Sequence, residues 1–543
     1  MAALTGLRMD YQLTISAIAR RVEALFPRRP VVSRAADGTV RRGTWLSTIT
    51  RARGLAAGLS ALGVVPGQRV ATLCWNQREH LEAYFGVPLA GAVLQPLNPR
   101  LSAADLAFVV ADGGCRIVIV DQSLLDVLEA IKVPGGWEHV IVVGGTVPAG
   151  GRRYEDLLAA GGRFAEPALD ERAACTLCYT SGTTGRPRGV VYSHRVIALQ
   201  ALAGLAADFG AISEADTILI VVPMFHANAW GHPYAAALAG ASVVLPHRDV
   251  SPEAVLATVE RERVTVTGAV PTVWEGILRL LDTAPGRFDL SSIRVIRIGG
   301  DRAPLRLLRA LEERHGLKVL HGFGMTELGP LGGVSELPSE LRGAPLADRW
   351  RARGKAGRPL PFLEVRARAG DELVPWDGDT PGELEYRGAT VASRYWGDAG
   401  AENFTDDGWL RSGDIGAIDR DGVLEIRDRA KDLVKSGGEW ISSVALEHAL
   451  AGHPSVADAA IIAVPDPVWQ ERPLALVVRE PRSDARPAEL REHLGRLFPR
   501  WWLPDRFEFV DEIPRSPAGK IRKAELRRRF SPAGRSAGDR RST

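Results

Sequence analysis

The chain has 543 residues, 45% hydrophobic and 24% charged, which is enough to bury more than one core. Lys plus Arg total 68 against 65 for Asp plus Glu, so charge gives no argument for a nucleic-acid or membrane partner. Four cysteines give no disulfide framework and fit a reducing compartment.

Residues 1–14 lack an apolar core behind a basic start, and 15–26 is amphipathic and charged, so no signal peptide is expected. The best apolar run, 234–246, is too short to span a bilayer and is broken by Gly240. These features lead to an expectation of a cytoplasmic protein without a transmembrane segment. From about Thr44 to Gly300 helix and strand alternate. Leu55, Leu59 and Leu62 share one helical face, with Gly63 as the stop. Short β-branched runs at 70–74, 117–120, 140–143, 218–222, 243–245 and 295–298 predict strands of largely parallel sheets.

Within this region, 175–179 reads as a buried strand and 189–191 as an extended segment, so the residues between them form a hairpin-like loop at a sheet end. The spacing Cys175-x-x-Cys178 has no second Cys or His pair to complete a metal site, which makes both thiols structural. The stretch from 179 to 189 reads YTSGTTGRPRG. Its run Ser181-Gly182-Thr183-Thr184-Gly185 offers backbone N–H groups and hydroxyls to phosphate oxygens, without the Gly-Lys-Ser/Thr ending of a Walker A loop.

After about Arg353 the pattern changes. Strands at 363–367, 382–387 and 422–426, separated by Gly and Asp turns, predict a β element that closes the large domain. A charged segment, Asp428-Arg429-Ala430-Lys431-Asp432, precedes a second α/β pattern. That pattern has strands at 459–464, 474–478 and 507–510 and a helix opened by Pro487 with Leu490, Leu494 and Leu497 on one face. The expected organisation is a large N-terminal domain over 1–428, a hinge at 429–433, a small C-terminal domain over 434–530 and a disordered tail at 531–543.

Seven motifs occur in order: YTSGTTGRPRGVVYSH (179–194), VPMFHANAWG (222–231), GGDRAP (299–304), HGFGMTE (321–327), GWLRSGDIG (408–416), DRAKDLVKSGGEWIS (428–442) and PRSPAGKIRK (514–523). With these, the chain resembles the AMP-forming acyl-CoA synthetases of the adenylate-forming superfamily, closest to the fatty-acyl-CoA ligase branch. The resemblance implies an α/β fold, with a multi-subdomain N-terminal domain of mainly parallel sheets and a small mobile α+β C-terminal domain. It also implies two half-reactions: a carboxylate attacks the α-phosphorus of ATP and expels pyrophosphate, then the CoA thiol displaces AMP.

By the same resemblance, Thr180, Ser181, Gly182, Thr183, Thr184, Gly185 and Arg188 hold phosphates, and Thr180 with Glu327 brings in Mg²⁺. Gly300, His321 and Gly322 line the nucleotide, Phe323 stacks on adenine, and Thr326 reaches the α-phosphate. Asp414 takes the ribose hydroxyls, while Arg429, Lys435 and Trp440 contact AMP or set the interdomain angle. Lys520 bridges carboxylate and α-phosphate, Lys431 is the pivot, and Gly437 and Gly438 face the thioester step. His226 lies between the adenylate carbonyl and the thiol channel, and Trp230 gates an acyl tunnel. A homodimer is compatible with the family.

Three departures bear on the substrate. Arg188 replaces the usual Lys, Asp301 and Arg302 replace small residues beside the acyl carboxylate and adenine, and Leu328-Gly329-Pro330 replaces small hydroxyl residues. A carboxylate at 301 would need a partner, Arg302 being the nearest in sequence. Two acceptors therefore stay open for a small-molecule acid: CoA, or an amine (or nitrite activation) without CoA.

Overall fold

The computed structural model describes residues 9–160, 162, 164–180, 186–397, 400–437, 439–481, 483–515 and 520–530. Two large sheets carry the N-terminal part. The first has nine strands, in the order Arg358–Pro359, Leu331–Val334, Val319–Gly324, Val295–Ile298, Val266–Ala269, Thr217–Leu219, Ser242–Leu245, Pro30–Arg34 and Val40–Thr44. Its inner pairings are parallel. The second has seven strands: Arg152–Arg153, His139–Val143, Ile117–Asp121, Arg69–Leu73, Val93–Pro96, Ala174–Tyr179 and Gly189–Ser193. Only its last pair is antiparallel, which confirms the hairpin around the glycine-rich loop.

Helices lie between these sheets because their apolar faces have nowhere else to go. The helix Trp45–Ala61 begins in a capping box, with the Thr44 hydroxyl accepting from Ser47 N and Ser47 Oγ accepting from Thr44 N. Gly63 past its end has φ +86°, a left-handed value that a side chain would resist. Trp45 is fully buried, donates Nε1–H to Ala241 O at 2.8 Å, and meets Phe85 edge-on at 5.9 Å. All four cysteines are free and buried. Among the described residues no helix is long and apolar enough to cross a membrane.

A five-stranded antiparallel sheet follows, running Glu372–Leu373, Leu363–Ala369, Gly382–Gly388, Leu410–Ile418 and Leu424–Arg429. The C-terminal sheet joins Glu439–Ile441, Val434–Ser436, Gln470–Arg479 and Val456–Asp466, with Arg506–Phe509 parallel to Gln470–Arg479. Two expectations shift here, and one element was not expected. The predicted strand at 218–222 is only Thr217–Leu219, because the chain then leaves the sheet for the site. The helix Pro487–Gly495 ends before Leu497, which is 59% exposed rather than on the buried face. The hairpin formed by Pro30–Arg34 and Val40–Thr44, which closes the nine-stranded sheet, carried no clear alternation in sequence.

Asp428, at the end of the last strand of the five-stranded sheet, ties the two halves together. Its Oδ2 accepts from Ser443 N and Ser443 Oγ, both at 2.6 Å, at the start of the helix Ser443–Ala451. Lys523 Nζ then reaches Ser443 Oγ at 2.5 Å and Glu447 Oε1 at 2.8 Å. Burial pushes the Glu447 carboxyl up to about 7 against the pull of Lys523. Arg527, on the same helix as Lys523, donates to Lys431 O at 3.0 Å and pairs with Asp432. The segment that follows Lys520 is thus pinned to residues 431–432.

Removing Lys523 leaves two buried carboxylates without their cation. Lys523→Met is expected to lower the stability of the C-terminal sheet by about 3 kcal/mol, read as lost hydrogen-exchange protection in Ser443–Ala451. A loss of less than about 0.5 kcal/mol would show the network to be energetically idle.

Candidate active site

Parallel strands bring their carboxyl ends to one edge, where a crevice forms. Val295–Ile298 delivers Gly299, Gly300 and Asp301, and Val319–Gly324 delivers His321, Gly322 and Phe323. Gly300 has φ +81°, and a Cβ there would lie 3.2 Å from Val270 Cγ1 and 3.4 Å from the Trp230 ring. The Phe323 ring lies against Gly332 and Gly333, where a Cβ would come within 2.5 Å of it, and it stands 6.0 Å from Tyr386. Its half-buried state leaves part of the ring uncovered. His321 is buried and pushed down to about 4 by burial and then by Arg302, and its Nδ1 has no partner among the described residues.

Thr326 and Glu327 follow on a short 3₁₀ turn and are buried. Tyr192 OH donates to Thr326 O at 2.6 Å, and Tyr395 OH donates to Glu327 Oε1 at 2.8 Å. The Arg188 guanidinium lies over the Tyr395 ring at 5.1 Å, and Thr180 pairs with the Arg188 backbone in both directions. Thr180, Arg188, Tyr395 and Glu327 therefore form one continuous wall. Tyr395 was not singled out in the sequence, since it belongs to no motif.

Asp414 lies opposite Arg429 across adjacent strands, and Arg429 Nε meets its Oδ1 at 2.7 Å. Burial pushes the Asp414 carboxyl up, while Arg429 and Lys520 oppose the shift. Lys520, after the C-terminal sheet, reaches the same place. Burial and then Arg429 push its ammonium below the usual range, whereas Asp301, Asp414 and Glu327 hold it up. His226 is pushed down to about 4 by burial and then by Lys520. Residues from far-apart segments thus share one electrostatic site.

The chain between His226 and the helix His232–Ala239 is unusual. Ala227, Asn228, Ala229 and Trp230 have φ of 41°, 53°, 50° and 54°, a left-handed turn that costs about 1–2 kcal/mol per non-glycine residue. Cys178 Sγ donates to Asn228 Oδ1 at 3.5 Å, so the expected structural thiol also braces this turn. Trp230 Cη2 lies 3.4 Å from where a Cβ of Gly299 would sit, which lays the indole on the glycine pair.

Several expected site residues are placed differently. The Arg188 side chain turns toward Asn403 Oδ1 at 2.5 Å and Glu402 Oε1 at 3.1 Å. Asp301 is not neutralised by the neighbouring guanidinium. Its Oδ1 accepts from the Arg302 backbone N at 2.8 Å, and its charge acts on Lys520, while the Arg302 charge senses Glu425 and Asp428. Lys435 and Trp440 oppose each other on the outer face of a hairpin, exposed to solvent, because Val434 and Ile441 take the inner face. Gly437 has φ +61° and packs on Trp469, while the charge of Lys431 acts on Asp414. Ser181, Gly182, Thr183, Thr184, Gly185 and Gly438 lie outside the described residues, as do 531–543.

The model of the AMP-binding enzyme family matches residues 19–396, and that of its C-terminal domain matches 445–520. The chain belongs to the AMP-binding enzyme family. A long-chain-fatty-acid–CoA ligase of Thermus thermophilus is 44% identical over 539 residues, covering 98% of each chain. A 3-methylmercaptopropionyl-CoA ligase of Ruegeria pomeroyi is 38% identical, covering 97% of this chain and 99% of the relative. Among solved structures, an anthranilate CoA ligase in complex with anthranoyl-AMP superposes with TM-score 0.86 at 26% identity, covering 97% of this chain and 99% of that one. The protein is an AMP-forming acid–CoA ligase of the adenylate-forming superfamily, with ATP and CoA as substrates.

The proximity of Lys520 and His226 is directly testable. Lys520→Ala removes a cation that disfavours imidazolium, so His226 should titrate above its present value of about 4, followed by NMR of labelled histidine. An unchanged titration would place Lys520 away from His226.

Proposed function

We propose that the protein activates a fatty or related acyl acid to its adenylate and passes the acyl group to CoA, with residues of both sheet systems acting in turn. The observation that carries this reading is the convergence of Lys520, Asp414, Glu327, Asp301 and His226 on one site. In the first half-reaction a carboxylate oxygen of the acid bonds to the α-phosphorus of ATP and the bond to pyrophosphate breaks. Lys520 offsets charge on both reacting groups, and Arg188 and the residues 180–185 hold the departing phosphates.

The Glu327 carboxylate and the Thr180 hydroxyl are hard oxygen donors, a set that fits Mg²⁺. Among the described residues Tyr395 engages Oε1 of Glu327, and the other oxygen is the one offered to that ion. When bound, Mg²⁺ would neutralise phosphate charge. Asp414 accepts from the ribose hydroxyls, Phe323 stacks on adenine, Gly300, His321 and Gly322 shape the nucleotide wall, and Thr326 donates to the α-phosphate.

In the second half-reaction the CoA sulfur bonds to the acyl carbonyl carbon and AMP leaves. We assign the hinge to 429–433, with Lys431 as pivot, so that the C-terminal part turns between the two steps. Lys435, Trp440, Gly437 and Gly438 would serve this second orientation. His226, neutral near pH 7, lies beside the carbonyl, and Trp230 gates the acyl chain. Asp301 and Arg302 flank the acid. A cytoplasmic location and a homodimer belong to the same reading.

Half-reactions separate the roles. Lys520→Ala is expected to cut pyrophosphate release by two orders of magnitude or more, on the order of the loss when one charge-stabilising group is removed, and to spare thioester formation from supplied acyl-adenylate. Equal losses in both would sink the assignment. AMP formation that depends on an amine instead of CoA would overturn the acceptor.

A further inference from the structure

His232 opens the helix His232–Ala239 directly after the left-handed turn and is 1% exposed. Neither ring nitrogen has a hydrogen-bond partner among the described residues. Buried polar atoms are nearly always paired, because losing water without a replacement is costly. Beside His232 lies a second under-satisfied group. Arg297, on the strand Val295–Ile298, donates from Nη2 to the Phe209 carbonyl and forms no ion pair among the described residues. The carboxylate it senses, Asp216, is already engaged by Arg294 at 2.9 Å, Thr265 Oγ1 at 2.7 Å and Ser213 N at 2.8 Å. Burial, then Arg294, pushes the Arg297 guanidinium down to about 10.

These two side chains are neighbours. Gly268 pairs with Arg297 across parallel strands, and a Cβ on Gly268 would lie 3.2 Å from both Arg297 Cβ and His232 Cε1. The missing side chain at 268 is what lets the two approach, since a Cβ there would press on both. They are also continuous with the site. Residues 297 and 299 share one face of the strand, and Trp230 lies on Gly299, with its ring centroid 6.3 Å from that of His232. Trp230 thus lies between the Gly299–Gly300 pair on one side and His232 on the other. A site for plain hydrocarbon alone would favour aliphatic residues there.

We propose that the acid carries a second, anionic hydrogen-bond-accepting group on its tail, received by Arg297 and His232 beyond Trp230. Arg297 supplies the charge and donor fork, and the neutral His232 donates one further hydrogen bond. A carboxylate matches both, and a hydroxyl would engage them without the charge. The proposal rests on the acid–CoA ligase reading and narrows its substrate class.

The test compares three acids of equal chain length: an unsubstituted monocarboxylic acid, its ω-hydroxy derivative and the corresponding dicarboxylic acid. CoA-dependent AMP formation is read as kcat/KM for each. The expected order has the dicarboxylic acid ahead of the monocarboxylic one by roughly tenfold or more, the scale of one charged hydrogen bond, with the hydroxy acid between. Arg297→Leu and His232→Leu should each bring that ratio toward one. The ratio in the unsubstituted enzyme decides even where a variant does not fold. Preference for the monocarboxylic acid overturns the proposal while leaving the ligase reading intact. Absence of AMP formation with every acid overturns the ligase reading and the proposal together.

Discussion

A lysine ammonium from the C-terminal part sits half-buried against the N-terminal part, and the rest of the site depends on how its charge is balanced. Burial alone would drive the proton off, and Arg429 adds repulsion. Asp301, Asp414 and Glu327 counter this from three separate segments. Each carboxylate has a second engagement: Asp414 with Arg429, Glu327 with Tyr395, Asp301 with the Arg302 backbone. The lysine is therefore held by groups that are themselves held.

The segment around residues 428–432 is heavily tied as well. Asp428 caps the first helix of the C-terminal part, and Lys523 and Arg527 tie the segment after Lys520 to that helix and to residues 431–432. On the other side, the left-handed turn from Ala227 to Trp230 stores strain in the segment that follows His226 and lays the Trp230 ring on the glycine pair Gly299–Gly300.

Much of this was legible in the sequence. Apart from the shortened strand at 218–222, the β-branched runs and the hairpin around residues 180–188 are where the sequence pattern placed them, and the motifs that carry Asp414, Glu327, His226 and Lys520 converge in space. Three things were not legible, for physical reasons. Tyr395 acts through one hydroxyl on Glu327 and leaves no pattern in its neighbours. The side chains of Lys435 and Trp440 follow the two-residue period of their hairpin, which motif matching ignores. His232 and Arg297 are distant in sequence and meet only where a helix start packs over Gly268, the strand neighbour of Arg297, so their juxtaposition is a property of tertiary packing.

The claim that carboxylates keep Lys520 charged is tested most directly by measuring its pKa, from the pH dependence of its covalent labelling rate followed by mass spectrometry. Asp414→Asn removes a group that raises that pKa, so Lys520 in the variant should lose its proton at lower pH than in the parent enzyme. An unchanged or higher pKa would contradict the account, because Lys520 would then not be sharing its site with Asp414.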